Sequence, residues 1–338
     1  MPKLRMNQAI SLAIAEEMRA DPDVVVFGED VAVAEGPFKT SDGLLDEFGP
    51  LRVRDTPISE MGFLGAAVGA AATGLRPVVE IMFVEFLGVA LDQVTTEGAK
   101  FLYLSKGEVS VPLTVRASVG AGLGFGTQHS QTLEGWLLGS PGLKLAMASG
   151  PQSAYGLMRA AIRDDNPTVI LEPRRLYAQR GDVETGEDAI PVLGTARQVM
   201  DGDDVTIVAL GSMVDFAVEA ATAASWSAEV IDLQCLQPWD SAAVLESVAR
   251  TGRLVTVEEN PLLGGWGADV VSAVVAELFG EMSAPPLRIT APDVPVPYGK
   301  ELEERYMPMP GYIGAQVGEF LETGRIPAPW WKAEGMVK

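Results

Sequence analysis

Along the chain, short apolar runs of four to seven residues alternate with longer segments in which apolar positions recur at helical spacing. The runs at 24–28, 77–82, 111–117, 143–148 and 168–172 are apolar or β-branched without strict in-out alternation. That is the pattern of strands buried on both faces of a parallel sheet. Between them 7–19, 59–74, 86–104 and 151–164 read as helices, the last opening on Pro151, which suits a first helical turn. A polar stretch at 179–191, with Asp182, Glu184, Glu187 and Asp188 beside Gly181 and Gly186, interrupts the order. Strands then resume at 205–210, 229–233, 254–258 and 287–290, with helices at 213–224, 241–250 and 266–278. The pattern predicts an α/β protein of two doubly wound domains, 1–180 and a smaller 193–338, joined by a linker at 181–192.

Composition narrows the chemistry. Asp and Glu number 46 against 25 Lys and Arg, a net charge of -21 that repels a phosphate backbone, so nucleic-acid binding is disfavoured. The longest apolar stretch, 63–72, is broken by Gly65 and Gly69 and is too short to span a bilayer. No secretory segment is expected at the N-terminus, where Glu16, Glu17 and Arg19 end the first apolar run. One cysteine, Cys235, allows neither an intrachain disulfide nor a thiolate cluster, and a reducing cytoplasm is the expected compartment.

The single histidine, His129, lies in Gly126-Thr127-Gln128-His129-Ser130-Gln131. No G-x-S-x-G elbow accompanies it, and one imidazole cannot build a zinc site. Taken alone it reads either as a hydrogen-bonded loop residue or as a proton carrier. The run Gly120-Ala121-Gly122-Leu123-Gly124-Phe125-Gly126 lacks the G-x-G-x-x-G spacing and opens no helix, so it reads as a loop that needs positive φ rather than a dinucleotide site. Asp55-Thr56-Pro57-Ile58-Ser59-Glu60 places a Ser-Glu pair at the mouth of a glycine-rich apolar helix. That pair is either an N-terminal cap or a carboxylate carried into a core to meet a ligand.

These blocks resemble one family. Phe27-Gly28-Glu29-Asp30, Asp55 to Glu60, Gly74-Leu75-Arg76-Pro77, Asp92-Gln93-Val94, Gln128 to Gln131, Pro141-Gly142-Leu143-Lys144 and Ala161-Ile162-Arg163-Asp164-Asp165-Asn166 stand in order, followed by Val257-Glu258-Glu259 and Pro295-Val296-Pro297-Tyr298. Together they are similar to the beta subunit of the thiamine-diphosphate-dependent decarboxylase component of 2-oxo acid (pyruvate or branched-chain) and acetoin dehydrogenase complexes. The resemblance implies a transketolase-like pyrimidine-binding domain followed by a transketolase C-terminal-like domain that pairs beta chains and docks on an acyltransferase core.

The same resemblance implies roles residue by residue. Glu60 matches the glutamate that hydrogen-bonds the pyrimidine ring nitrogen of thiamine diphosphate. Ile58 offers a backbone contact, and Met82 and Phe86 line the ring, although their spacing alone fits ordinary core packing. His129 matches the histidine that handles protons at the reacting carbon, and Leu113, Ala161, Ile162, Asp164 and Asn166 match backbone positions that hold a structural potassium ion. Magnesium and the diphosphate are expected on an alpha subunit, because Gly-Asp-Gly followed by Asn is missing and Asp201-Gly202-Asp203-Asp204 has the wrong order. The expected assembly is an alpha2-beta2 heterotetramer that cleaves the bond beside a carbonyl of a small substrate and passes the acyl unit to a lipoyl-bearing acyltransferase core. Gly139 and Val89 depart from the histidine and glutamine of pyruvate-type members, and several segments lean toward the acetoin type. A carboligase using the same cofactor and a non-catalytic nucleotide-binding protein are the alternatives.

Overall fold

The computed structural model describes residues 1–333. The chain divides into two compact units, and neither is a continuous stretch of sequence. The first comprises Met1–Val119, Trp136–Leu193 and Leu236–Pro238, and the second comprises Gly120–Gly135, Gly194–Cys235 and the chain from Trp239 on. In chain order the strands are β1 (Lys3–Arg5), β2 (Val24–Gly28), β3 (Val53–Asp55), β4 (Arg76–Ile81), β5 (Thr114–Val119), β6 (Lys144–Met147), β7 (Thr168–Pro173) and β8 (Arg180–Asp182). They continue with β9 (Arg197–Met200), β10 (Val205–Ala209), β11 (Ala228–Asp232), β12 (Cys235–Gln237), β13 (Leu254–Pro261) and β14 (Leu287–Ala291).

The first unit carries a seven-stranded sheet in the order β12-β6-β7-β5-β4-β2-β3. Its core pairings are parallel, with Val26 opposite Val78, Val79 opposite Val115 and Ala117 opposite Leu171. Val26, Val79, Val115 and Leu171 are fully buried, as the apolar runs predict for strands covered on both faces. Helix Met6–Ala20 lies against helix Pro151–Arg163 and is pinned there by Glu17, which takes Arg159 Nε at 2.6 Å and Arg163 Nε at 2.8 Å. Inside the sheet one guanidinium bridges three strands. Arg116 on β5 donates to Glu80 on β4 at 2.6 Å and to both carboxylate oxygens of Glu172 on β7 at 2.8 and 2.7 Å. Charges this deep persist only when paired and hydrogen-bonded. Tyr177 and Thr40 donate to the same Oε2 atoms of Glu172 and Glu80 that Arg116 engages, at 2.7 and 3.1 Å.

The second unit holds a five-stranded sheet in the order β14-β13-β10-β11-β9, parallel except for the edge strand β9. Val205, Ile207, Val230, Val255, Val257 and Ile289 form its core with Ile313, Val317 and Phe320 of helix Pro310–Thr323. No helix among the described residues is long and apolar enough to cross a membrane.

Three expectations shift. The strand expected at 111–117 starts at Thr114, because Pro112 has no N–H to give the ladder and Leu113 N turns back to Val111 O at 2.8 Å. The helix expected over 86–104 breaks into Leu87–Asp92, a π-helical turn Gln93–Gly98 and Phe101–Leu104. There Ala99 N reaches back five residues to Val94 O at 3.0 Å, and the Thr95 hydroxyl bonds Leu91 O at 2.9 Å, widening the turn. Residues 181–192, expected as a linker, are built into the first unit instead. β8 pairs antiparallel with β1, and Glu187 bonds Arg163 Nη2 at 2.9 Å and Arg159 Nη2 at 3.1 Å.

Candidate active site

In a parallel sheet the chain leaves each strand at the same edge, and loops there collect functional groups. Glu29 follows β2, the segment 56–60 follows β3, and Met82 follows β4, so all three arrive at the C-terminal edge of the first sheet. Asp55 fixes the local geometry, its carboxylate accepting Ala32 N at 2.7 Å and Val33 N at 3.3 Å, while Thr56 N donates to Gly28 O at 2.9 Å. Helix Glu60–Ala72 then begins. Ser59 makes no side-chain bond to its first turn, so the capping role open in the sequence is not one that this serine fulfils.

Glu60 is half-buried and faces Glu29 closely enough for their charges to interact. Glu29 is buried, and its Oε1 has no hydrogen-bond partner among the described residues. Burial pushes the Glu29 carboxyl above the usual carboxylate range, and the charges of Glu60 and Asp30 push it further the same way. The sequence carried Glu29 only as part of a matching block. The signal that could have found it is its place directly after a parallel strand.

Met82 and Phe86 are both half-buried. Phe86 meets Phe83 edge-on, ring centroids 5.6 Å apart at 82°, and the Arg174 guanidinium sits 5.1 Å over the Phe83 ring. The Ser118 hydroxyl donates to Met82 O and receives Arg174 Nη1 at 3.1 Å, so the backbone at Met82 is anchored to the neighbouring strand. Ile58 is 85% exposed, an apolar side chain outside the core with its backbone at the loop surface. Ile58, Glu60, Met82 and Phe86 thus belong to one unit, Met82 and Phe86 on a partly open apolar wall. His129 belongs to the second unit, half-buried, its N–H bonded to Gly126 O at 3.1 Å.

The residues matched to potassium gather at the end of helix Pro151–Arg163. One Arg76 nitrogen bridges Ile162 O at 3.1 Å and Asp164 O at 3.2 Å, so these two carbonyls lie side by side. Ala161 O takes Asp164 N at 3.2 Å, Leu113 O takes Thr168 N at 2.9 Å, and Asn166 O takes the Thr168 hydroxyl at 3.3 Å. Each carbonyl has a second lone pair, and an all-oxygen set at a helix C-terminus suits a hard cation. Of the two departures, Gly139 adopts φ +79 and Val89 is 64% exposed.

These features define a two-unit α/β protein with a pair of acidic groups at the edge of a parallel sheet. Residues 2–179 match the family described as the transketolase pyrimidine-binding domain, and residues 194–313 match the transketolase C-terminal domain. The chain is 43% identical over 311 residues to the pyruvate dehydrogenase E1 component subunit beta of Rhizobium meliloti, covering 91% of this chain and 68% of that protein. It is 40% identical over 333 residues to the acetoin:2,6-dichlorophenolindophenol oxidoreductase subunit beta of Bacillus subtilis, covering 94% and 97%. A solved structure described as "Split gene transketolase, inactive beta4 tetramer" superposes with a TM-score of 0.75 at 26% identity, covering 95% of this chain and 99% of that one. The chain belongs to the family of beta subunits of thiamine-diphosphate-dependent dehydrogenase complexes, as its ordered sequence blocks imply.

Proposed function

We propose that this chain contributes the pyrimidine side of a thiamine-diphosphate site and turns over a small 2-oxo acid or acetoin only with an alpha subunit, in an alpha2-beta2 assembly. The observation that carries the reading is the Glu60–Glu29 pair at the edge of the first sheet, with a buried oxygen that has no hydrogen-bond partner among the described residues. The names of the pyruvate and acetoin relatives support the substrate class. Bound thiamine diphosphate would supply an electron sink for the charge left by C–C cleavage. Glu60 binds the pyrimidine ring nitrogen and holds a proton there, while the buried Glu29 carboxyl lies beside it. Met82 and Phe86 pack on the ring and keep water from it, and the Ile58 backbone orients it. His129, half-buried, carries protons to and from the reacting carbon.

The alpha chain would grip magnesium and the diphosphate, since the motif for both is missing here. The acyl unit passes to a lipoyl-bearing acyltransferase core, and the reducing cytoplasm that suits the lone, buried Cys235 is the compartment. The test is a calorimetric titration of thiamine diphosphate and magnesium into this chain alone and into its mixture with the alpha chain. Tight binding is expected only in the mixture, and tight binding by the lone chain would refute the shared site. The split-gene transketolase relative, described as inactive in its beta4 form, supports the same dependence.

The carbonyls of Leu113, Ala161, Ile162, Asp164 and Asn166 would hold the potassium ion. Potassium chloride is then expected to raise the melting temperature by about 2–4 °C over sodium chloride at equal ionic strength, the shift of roughly 1 kcal/mol of selective binding. Identical melts in the two salts would remove the ion from the proposal.

A further inference from the structure

The glycine run 120–126 has no part in the reading above, yet its geometry is unusual. Gly120, Gly122, Gly124 and Gly126 adopt φ of +98, +98, +75 and +81, alternating with Ala121, Leu123 and Phe125. Such alternation turns successive backbone N–H groups to one side and makes a concavity for an anion. The anion here is part of the protein. Gly122 N and Gly124 N donate to Glu303 Oε2 at 2.6 and 3.0 Å, and Ala121 N donates to Glu259 Oε1 at 2.7 Å. Glu303 is fully buried and its Oε1 has no hydrogen-bond partner among the described residues. The amides that a nucleotide phosphate would need are therefore already engaged.

The approach is close enough to require glycine. A Cβ at Gly120 would stand 2.7 Å from Glu259 Oε1, and one at Gly126 would stand 3.0 Å from the Tyr298 ring. The rest of the loop is tied down as well. The Thr127 hydroxyl donates to Val296 O at 2.7 Å, and Gly120 N closes the base on Gln131 O at 3.1 Å. His129 sits between these ties, and all of these groups belong to the second unit. The loop is thus held by Glu259 and by the segment 296–303, which includes Val296 and Tyr298 of the block Pro295-Val296-Pro297-Tyr298.

We propose that Glu303, assisted by Glu259, is a positioning residue for His129: its carboxylate is an internal anion that sets the glycine loop and so fixes where the imidazole stands. This rests on the role given to His129 above. Charge-assisted bonds from two amides in a buried site are strong and directional, and displacing a proton carrier by about 1 Å costs up to a hundredfold in rate.

The experiment uses the complex assembled with its alpha chain, thiamine diphosphate and magnesium, and compares two readouts. One is transfer of the acyl unit to lipoamide. The other is deuterium exchange at the thiazolium C2 position, which depends on Glu60 and not on His129. Glu303→Gln is expected to slow acyl transfer by about ten- to a hundredfold while exchange stays within about twofold. In a His129→Ala background the same substitution is expected to add nothing, because both act through one group.

Gly124→Ala is a second route to the same result, since its Cβ would meet nothing within 4 Å and it disturbs only the φ of +75. It should give the same signature, and it carries the test alone if Glu303→Gln fails to fold. Unchanged acyl transfer in Gly124→Ala, loss of exchange together with transfer, or effects that multiply in the double variant would each overturn the proposal. A wild-type complex that neither exchanges the C2 proton nor acylates lipoamide would instead overturn the function on which it rests.

Discussion

In the assembled enzyme, Glu60→Gln is expected to reduce turnover by about three orders of magnitude, within the range for loss of a positioned acid-base group. The amide is nearly the size of the carboxyl, so helix Glu60–Ala72 keeps its packing and the melting temperature should stay within a few degrees. The amide cannot hold and return a proton at the pyrimidine nitrogen. The loss should therefore fall on deuterium exchange at C2 as heavily as on turnover, in contrast to the Glu303 variant. Glu29→Gln should cost less, because it alters the neighbouring carboxyl and leaves the contacting group. A Glu60→Gln complex with wild-type exchange and turnover would end the assignment of this site.

The second large effect is on stability. Glu134 is 3% exposed, with Oε2 unpartnered among the described residues, and its carboxyl is pushed up to about 8. Burial is the main cause, and the charges of Glu259 and Glu258 add to it. An unfolded glutamate titrates at 4.5, so between pH 4.5 and 8 the folded chain holds a proton that the unfolded chain has released. The folded state binds more protons across that window, and stability falls as pH rises through it. At 1.36 kcal/mol per unit the full loss is on the order of a few kcal/mol. Glu134→Gln keeps the shape and removes the titration. The variant should match wild type below pH 4.5, where the carboxyl is protonated in both the folded and the unfolded chain, and exceed it increasingly up to pH 8. Urea denaturation across this range measures the difference, and parallel curves would show that Glu134 does not titrate as described.

Much of the fold was legible because strands buried on both faces cannot hide their composition. The runs that became β2, β4, β6, β7, β10, β11, β13 and β14 lie within a few residues of their expected positions. What escaped was structure specified by partners far away in sequence. β1 and β8 are three residues each and form because they pair with one another. Helix Pro310–Thr323 opens within Met307-Pro308-Met309-Pro310-Gly311, a stretch whose prolines read as coil until Pro310 takes the first turn. The site divides in the same way. Glu60 and His129 stand out by motif, whereas Glu29 is set apart by burial and Glu259 and Glu303 by bonds from amides of distant segments, which one-dimensional spacing does not encode. The glycine run shows the limit most plainly. Its need for positive φ was readable, but the carboxylate it grips lies 179 and 181 residues further on.

The interleaving of the two units also limits how this chain can be cut. The edge strand β12 (Cys235–Gln237) of the seven-stranded sheet comes from far beyond Pro151–Arg163, the last long helix of that unit, and Leu236–Pro238 are counted with the first unit. A fragment ending at residue 180 would leave β6 as an uncovered rim, a row of idle amides and carbonyls that invites other chains to add on. Cutting the chain at the polar stretch would therefore give two sticky halves rather than portable modules, because each unit takes in a segment from the other side of the cut.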